Sequence, residues 1–205
     1  MSSRRPLTDA VTLTGTLVTL EPLTRDHHDG LVAAASDGDL WDLWYTSVPR
    51  PEAMAAEIER RLALQAAGSM VAFTARRNDT GAVIGMTTYM NVDAVSRRLE
   101  IGSTWNAASA QRSGTNTESK LLLLRHAFES LDCIAVEFRT HWLNHQSRAA
   151  IARLGAKQDG VLRSHMLTAD GTIRDTVVFS IIAMEWPAVR NELLRRLAVT
   201  DASRM

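Results

Sequence analysis

Cysteine is nearly absent from this chain. Cys133 stands alone among 205 residues, so no internal disulfide can form. Its neighbours Ile134, Val136 and Phe138 read as a strand, which favours a buried, inert thiol over a nucleophile. Net charge is also missing. Lys plus Arg and Asp plus Glu each number 23. No basic excess is left to neutralise a phosphate backbone, so sequence-independent binding of nucleic acid is disfavoured. No uncharged apolar run is long enough to span a bilayer, and no early basic-plus-apolar segment resembles a leader. A cytoplasmic protein without nucleic-acid or membrane partners is expected. Metal-ligand clusters are lacking as well. His27 and His28 have no cysteine or carboxylate at ligand spacing and read as solvated. No Ser-His-Asp or Cys-His arrangement is legible.

What is present reads as one ordinary globular domain, with 45% apolar and 22% charged residues. Residues 1–11 are polar and aperiodic and are expected to be flexible, residues 12–198 to form the domain, and residues 199–205 to fray. Leu13 to Pro22 reads as a first strand. A helix from Thr24 to Ala35 follows, with Thr24 as its cap. A short helix and loop over Asp39 to Pro49 carries Trp41, Trp44 and Tyr45. Pro51 opens a second helix that Gly68 ends. Met70 to Arg76 and Ala82 to Met90 form a hairpin around Asn78-Asp79-Thr80-Gly81. Arg98 to Trp105 is a strand, Thr115 to Leu131 a helix, Cys133 to Trp142 a strand and Gln146 to Leu154 a short helix. Two late strands, Lys157 to Leu167 and Ile173 to Met184, flank the turn Ala169-Asp170-Gly171, and Pro187 starts a final helix. This order predicts an α/β (α+β) domain with one mixed, mostly antiparallel sheet flanked by helices.

The chemistry concentrates between Trp105 and Lys120. A small-residue loop there follows a strand and opens a helix. Helix N-termini offer unpaired N–H groups and partial positive charge, and Gly114 lets a phosphate come close. Ser113, Thr115 and Thr117 can add hydroxyl donors, and Arg112 adds charge. An ordinary helix start accounts for the same residues, since Thr115 and Glu118 fit a capping box. The loop has neither a Gly-Lys-Ser/Thr ending nor three spaced glycines, which excludes a P-loop and a dinucleotide fingerprint.

Gln111-Arg112-Ser113-Gly114-Thr115-Asn116 resembles the GNAT acetyltransferase signature Gln/Arg-x-x-Gly-x-Gly/Ala, with Asn116 replacing the last small residue. Asn144 to Ser147, running on to Leu154-Gly155, resembles that family's Asn-x-x-Ser helix. Leu99-Glu100-Ile101-Gly102 resembles its preceding strand. The likeness spans about residues 13 to 185. Within the family the chain most resembles the branch that acetylates N-terminal Ala or Ser of ribosomal proteins, and Asn116 to Phe128 and Arg174 to Trp186 read like many of its bacterial members. The resemblance implies a GNAT-type single domain with a pantetheine cleft between two splayed parallel strands. It implies acetyl-CoA as co-substrate, without a metal. The cofactor contacts it implies are Ile101, Gly102, Ser103, Gln111, Arg112, Ser113, Gly114, Thr115, Asn116, Thr117, Asn144 and Ser147.

Acetyl transfer needs a neutral amine, a base for its proton and a donor for the developing oxyanion. Glu100 matches a position where the family often places a base; a solvated strand residue is the alternative. The family's frequent tyrosine acid is Ile151 here, so Ser147 is the remaining hydroxyl, with a helix-start cap as its alternative. Where the ribosomal-protein branch carries a glutamate, this chain has Met166, beside His165. His165 and His141 are further candidates for proton transfer, with a surface strand histidine as the alternative. Trp41, Trp44, Tyr45 and His165 are the expected acceptor wall; simple packing is the other reading of the aromatics. The partners expected are acetyl-CoA and a primary amine, with a second copy of the chain as a further expectation. A non-catalytic acetyl-CoA sensor and an unrelated nucleotide-binding protein are the alternatives.

Overall fold

The computed structural model describes residues 6–42, 48–168 and 170–202. Trp44 and Tyr45 of the expected acceptor wall lie outside the described residues, as does Ala169 of the last turn. The elements run β1 (Leu13–Thr14), β2 (Val18–Pro22), α1 (His28–Ser36), α2 (Met54–Ala66), β3 (Met70–Arg77), β4 (Val83–Asp93) and β5 (Arg98–Asn106). They continue through α3 (Thr115–Arg125), β6 (Ala135–His141), α4 (His145–Arg153), β7 (Lys157–Leu167), β8 (Ile173–Ile182) and α5 (Trp186–Ala202). All the strands join one eight-stranded sheet in the order β1-β2-β3-β4-β5-β6-β8-β7. Every pairing is antiparallel except β5 with β6.

Adjacent residues of β4 show how the sheet is covered. The Tyr89 hydroxyl donates to the Leu123 carbonyl of α3 at 2.6 Å, and Arg61 of α2 donates to the Thr88 hydroxyl at 2.6 Å. Neighbouring strand residues point to opposite faces, so α2 and α3 lie on opposite sides of the sheet. Leu99, Ile101 and Val136 fill the layer beneath α3 and are buried. Leu7, inside the segment expected to be flexible, is 3% exposed and joins the core.

Three local expectations change. The first strand is a hairpin, β1 and β2, not one element. The Glu118 carboxylate accepts from the N–H groups of Thr16, Leu17 and Val18 at 2.8, 2.7 and 2.9 Å and fixes the turn. Gly15 makes room for it, since a Cβ there would meet the carboxyl carbon at 2.5 Å. The capping box is consequently not formed: Gly114 is the N-cap of α3, and Thr115 is its first residue. The third change concerns His27, which is not solvated. Its ring accepts from Thr24 N–H at 3.1 Å and lies 3.1 Å from a Glu21 carboxylate oxygen, completing the cap before α1. The α3 helix also widens into one i→i+5 turn over His126–Ser130.

Lys120 of α3 is 6% exposed, without a carboxylate partner among the described residues. Its Nζ donates to the Thr87 and Thr104 hydroxyls at 3.1 and 2.8 Å. Burial pushes its ammonium down to about 7. The unfolded chain keeps that proton until about pH 10.4, so between these values the unfolded state binds more protons and stability rises with pH. Urea denaturation should show wild type gaining on Lys120→Met by up to about 1.4 kcal/mol per pH unit across that window. Parallel pH profiles for the two proteins would refute a buried, depressed lysine.

Candidate active site

The parallel pair β5–β6 is short. Its register holds only for Arg98 with Ala135, Leu99 with Val136 and Glu100 with Glu137. Beyond that point β5 runs on to Asn106 while β6 runs on to His141, paired along its other edge with β8. The two strands therefore part after Glu100. The facing edge of β5 from Ile101 onward carries backbone groups that an extended amide-bearing ligand can pair with. The Ile101 side chain itself is core, so only its backbone can serve the cleft.

On its other edge β5 is bulged. Met86 pairs with Trp105 but Thr88 pairs with Gly102, so β5 carries an extra residue there, and Ser103 takes φ +47°. Buried cations hold this bulge from both faces. Arg61 donates to the Ser103 carbonyl at 3.4 Å from the α2 side, and Lys120 holds Thr104 from the α3 side. Sequence reading missed both cations. Each stands in an amphipathic helix pattern with nothing to mark it as inward.

After β5 the chain makes a short 3-10 turn at Ala108–Ala110, then reaches Gly114 at φ +86°. The first bond of α3 runs from Glu118 N–H to the Gly114 carbonyl at 2.9 Å. The N–H groups of Thr115, Asn116 and Thr117 precede it and are left unclaimed by the helix. Arg112 is exposed and makes no ion pair among the described residues. The Ser113 and Thr115 hydroxyls behave differently from expectation. They meet each other at 2.9 Å and donate to the Ala110 carbonyl, tying the loop to itself. The side chains of Gln111 and Asn116 brace the loop on Asn106. The donors left facing outward are backbone amides and Arg112, a set that fits a diphosphate.

At the other side of the parting, Asn144 caps α4, its side-chain oxygen accepting from Ser147 N–H at 2.9 Å. The cap is thus Asn144, and Ser147 is the third residue of the helix. Its hydroxyl has no protein partner among the described residues.

Glu100 is not on a solvated face. It is 5% exposed, accepts from Asn91 Nδ2 at 2.7 Å and lies 3.4 Å from Arg139 Nε. Burial pushes its carboxyl above the ordinary range, against the pull of Asn91 and Arg139. Gly102 stays small beside it, because a Cβ there would meet a Glu100 oxygen at 2.8 Å. Glu100 pairs with Glu137, Glu137 with Ser180, and His141 with Thr176, so one face of the sheet carries Glu100, Glu137, Arg139, His141, Arg174 and Thr176. His165 reaches the Thr176 hydroxyl through Nδ1 at 3.1 Å and joins this face. Burial, with Arg174, pushes the His141 ring below its usual value. Trp41 lies elsewhere. It packs against the core, with the Arg50 guanidinium 6.0 Å above its ring, and no contact among the described residues ties it to Glu100. Asn91, Arg139 and Arg174 were not singled out in the sequence, although Arg139 and Arg174 follow the alternation of their strands.

The acetyltransferase (GNAT) domain family matches residues 18–157. A GCN5-related N-acetyltransferase from Brucella melitensis has a similar structure, with a TM-score of 0.85 and 31% identity over 95% of this chain and 88% of that one. Mycobacterium smegmatis RimJ, solved in complex with CoA-disulfide, shares the fold, with a TM-score of 0.76 at 22% identity over 93% of this chain and 96% of that one. The "Putative ribosomal N-acetyltransferase YdaF" of Bacillus subtilis is 33% identical over 106 residues, 52% of this chain and 57% of that protein, so this chain spans little more than half of that curated relative. The splayed strands, the open helix start and these likenesses agree: the chain belongs to the GNAT acetyltransferase family, with its likeness to the ribosomal-protein branch.

Proposed function

We propose that this protein transfers an acetyl group from acetyl-CoA to a primary amine by direct attack in a ternary complex. The observation that carries the reading is Glu100, a buried carboxylate with a raised pKa at the point where β5 and β6 part. A carboxyl pushed upward is a stronger base than one in water and can take the proton of an attacking amine. The open amides of Thr115 to Thr117 and Arg112 hold the diphosphate, and the free edge of β5 from Ile101 to Ser103 holds the pantetheine arm. The unpaired Ser147 hydroxyl donates to the departing thiolate. The amine lone pair forms the new C–N bond as the thioester C–S bond breaks, and the amine proton passes to Glu100, directly or through water.

Cys133 offers no route through an acetyl-enzyme. It is buried, and burial pushes its thiol up to about 11. Protein N-termini, lysine side chains and small amines are all acceptable acceptors in chemical terms. The name of the B. subtilis relative, a ribosomal N-acetyltransferase, keeps ribosomal amines among them. No helix among the described residues is long and apolar enough to cross a membrane, and a lone reduced thiol suits the cytoplasm. His165 lines the acceptor side in this reading.

Gly114→Glu should weaken CoA binding by about one to two decades, since it places a carboxylate where the phosphate approaches and costs a charged hydrogen bond. Calorimetric titration of a variant that still melts cooperatively checks this; wild-type affinity would remove the loop from the cofactor site. Glu100→Gln keeps shape but not basicity and should lower turnover by ~10²-fold, with acetyl-CoA affinity little changed. Because the Glu100 pKa is raised, the acid limb of the wild-type rate profile should lie above the ordinary carboxylate range and vanish in the variant. Near-normal turnover by Glu100→Gln across an amine panel would transfer the base role to water or His165. A folded protein that binds acetyl-CoA and acetylates nothing in the panel would support a sensor instead.

A further inference from the structure

The strands β5, β6 and β8 each place a guanidinium on the face that carries Glu100, and two of these three are engaged by carboxylates. Arg98 donates to Glu137 at 2.6 Å, and Arg139 meets Glu137 at 3.0 Å and Glu100 at 3.4 Å. Arg174 is different. Its Nε donates to the Thr176 hydroxyl at 3.0 Å, and it has no carboxylate partner among the described residues. This link turns the side chain along β8 toward Thr176, the residue that also holds His165 and sits opposite His141. The group is half-buried, and its charge bears on both Glu100 and His141.

A partly desolvated guanidinium that bonds no carboxylate and feels Glu100 only through space is costly to keep, and its planar fork of donors is complementary to a carboxylate. Here the fork lies on the same sheet face as Glu100, the group proposed above to take the amine proton. We propose that Arg174 anchors a carboxylate of the acceptor, so that the preferred substrate is a small amine bearing a carboxylate a few bonds from its nitrogen. The inference rests on the acetyl-transfer reading above and narrows its acceptor. Glu100 then receives the ammonium end and Arg174 the acid end, which fixes both register and direction of the acceptor. An uncharged amine satisfies only the first contact and leaves Arg174 as it is in the free protein.

Two measurements test it. Turnover is compared for γ-aminobutyrate and its carboxamide, in wild type and in Arg174→Gln. Binding of N-acetyl-β-alanine and its carboxamide to the CoA-saturated protein is compared by calorimetry, which needs no catalysis. The expected result is at least a tenfold lower KM for the acid than for the amide, and a matching preference in binding. Arg174→Gln should bring both ratios close to one, and Arg174→Lys should restore only part of them, since an ammonium lacks the fork. Equal binding of acid and amide would overturn the anchor, and so would a preference that survives Arg174→Gln. Preferential binding of the acid without turnover of any amine would uphold the anchor and defeat the transfer reading. Turnover of both amines without preference would do the reverse.

Discussion

Beyond Glu100 and Glu137 the strands β5 and β6 stop pairing while both continue. Backbone N–H and C=O groups inside a protein must find partners, so a parting in mid-sheet is stable only where something else can supply them. That constraint organises the rest of the molecule. The outer edge of β6 is fully paired to β8, which leaves its inner edge free without loosening the strand. The outer edge of β5 is bulged against β4, and Arg61 and Lys120 fix the bulge from opposite faces. The helix start at Gly114 and the capped start of α4 at Asn144 stand at the two rims. An open strand edge of this kind can accept an extended, amide-bearing ligand where the chain supplies no partner.

The same parting sets the chemistry of Glu100. A carboxylate on an ordinary sheet face would be hydrated and acidic. At the apex of the cleft it is enclosed by Met90, Asn91, Gly102 and Arg139, and loses water faster than it gains compensation. The net effect is an upward shift despite a neighbouring guanidinium. Arg139 is shared with Glu137, which limits what it can offer Glu100. Arg174, on the same face, bonds the Thr176 hydroxyl and no carboxylate among the described residues.

The element order and the loop that opens α3 at Gly114 were legible because they rest on local rules. Gly68 and Pro51 bound α2 as expected, and the hairpin turn before β4 follows its Asn-Asp-Thr-Gly run. What escaped rests on distant partners. Leu13 to Pro22 reads as one strand until Glu118 is placed against its middle. Thr115 and Glu118 satisfy a capping-box pattern, yet the carboxylate serves another element because three amides there outnumber the single one at its own cap. His27 reads as solvated until Glu21, from the preceding strand, is brought beside it. Lys120 sits in a helix run where nothing local distinguishes an inward lysine from an outward one. The surroundings of Glu100 were the least legible, since Asn91, Arg139 and Arg174 come from three strands and share its neighbourhood only through sheet register.

The Glu118 contact also has a consequence for how the chain is made. Its carboxylate serves amides up to 102 positions upstream. During vectorial synthesis the amino-terminal hairpin emerges first, with its turn N–H groups facing water and no carboxylate to receive them. It can close only after the strands of the central sheet and the first turn of α3 have left the ribosome. Long-range closures of this kind are slow and leave strand edges open while they wait. The β1–β2 turn therefore waits for α3 before its amides are satisfied, although it is among the first pieces to be translated.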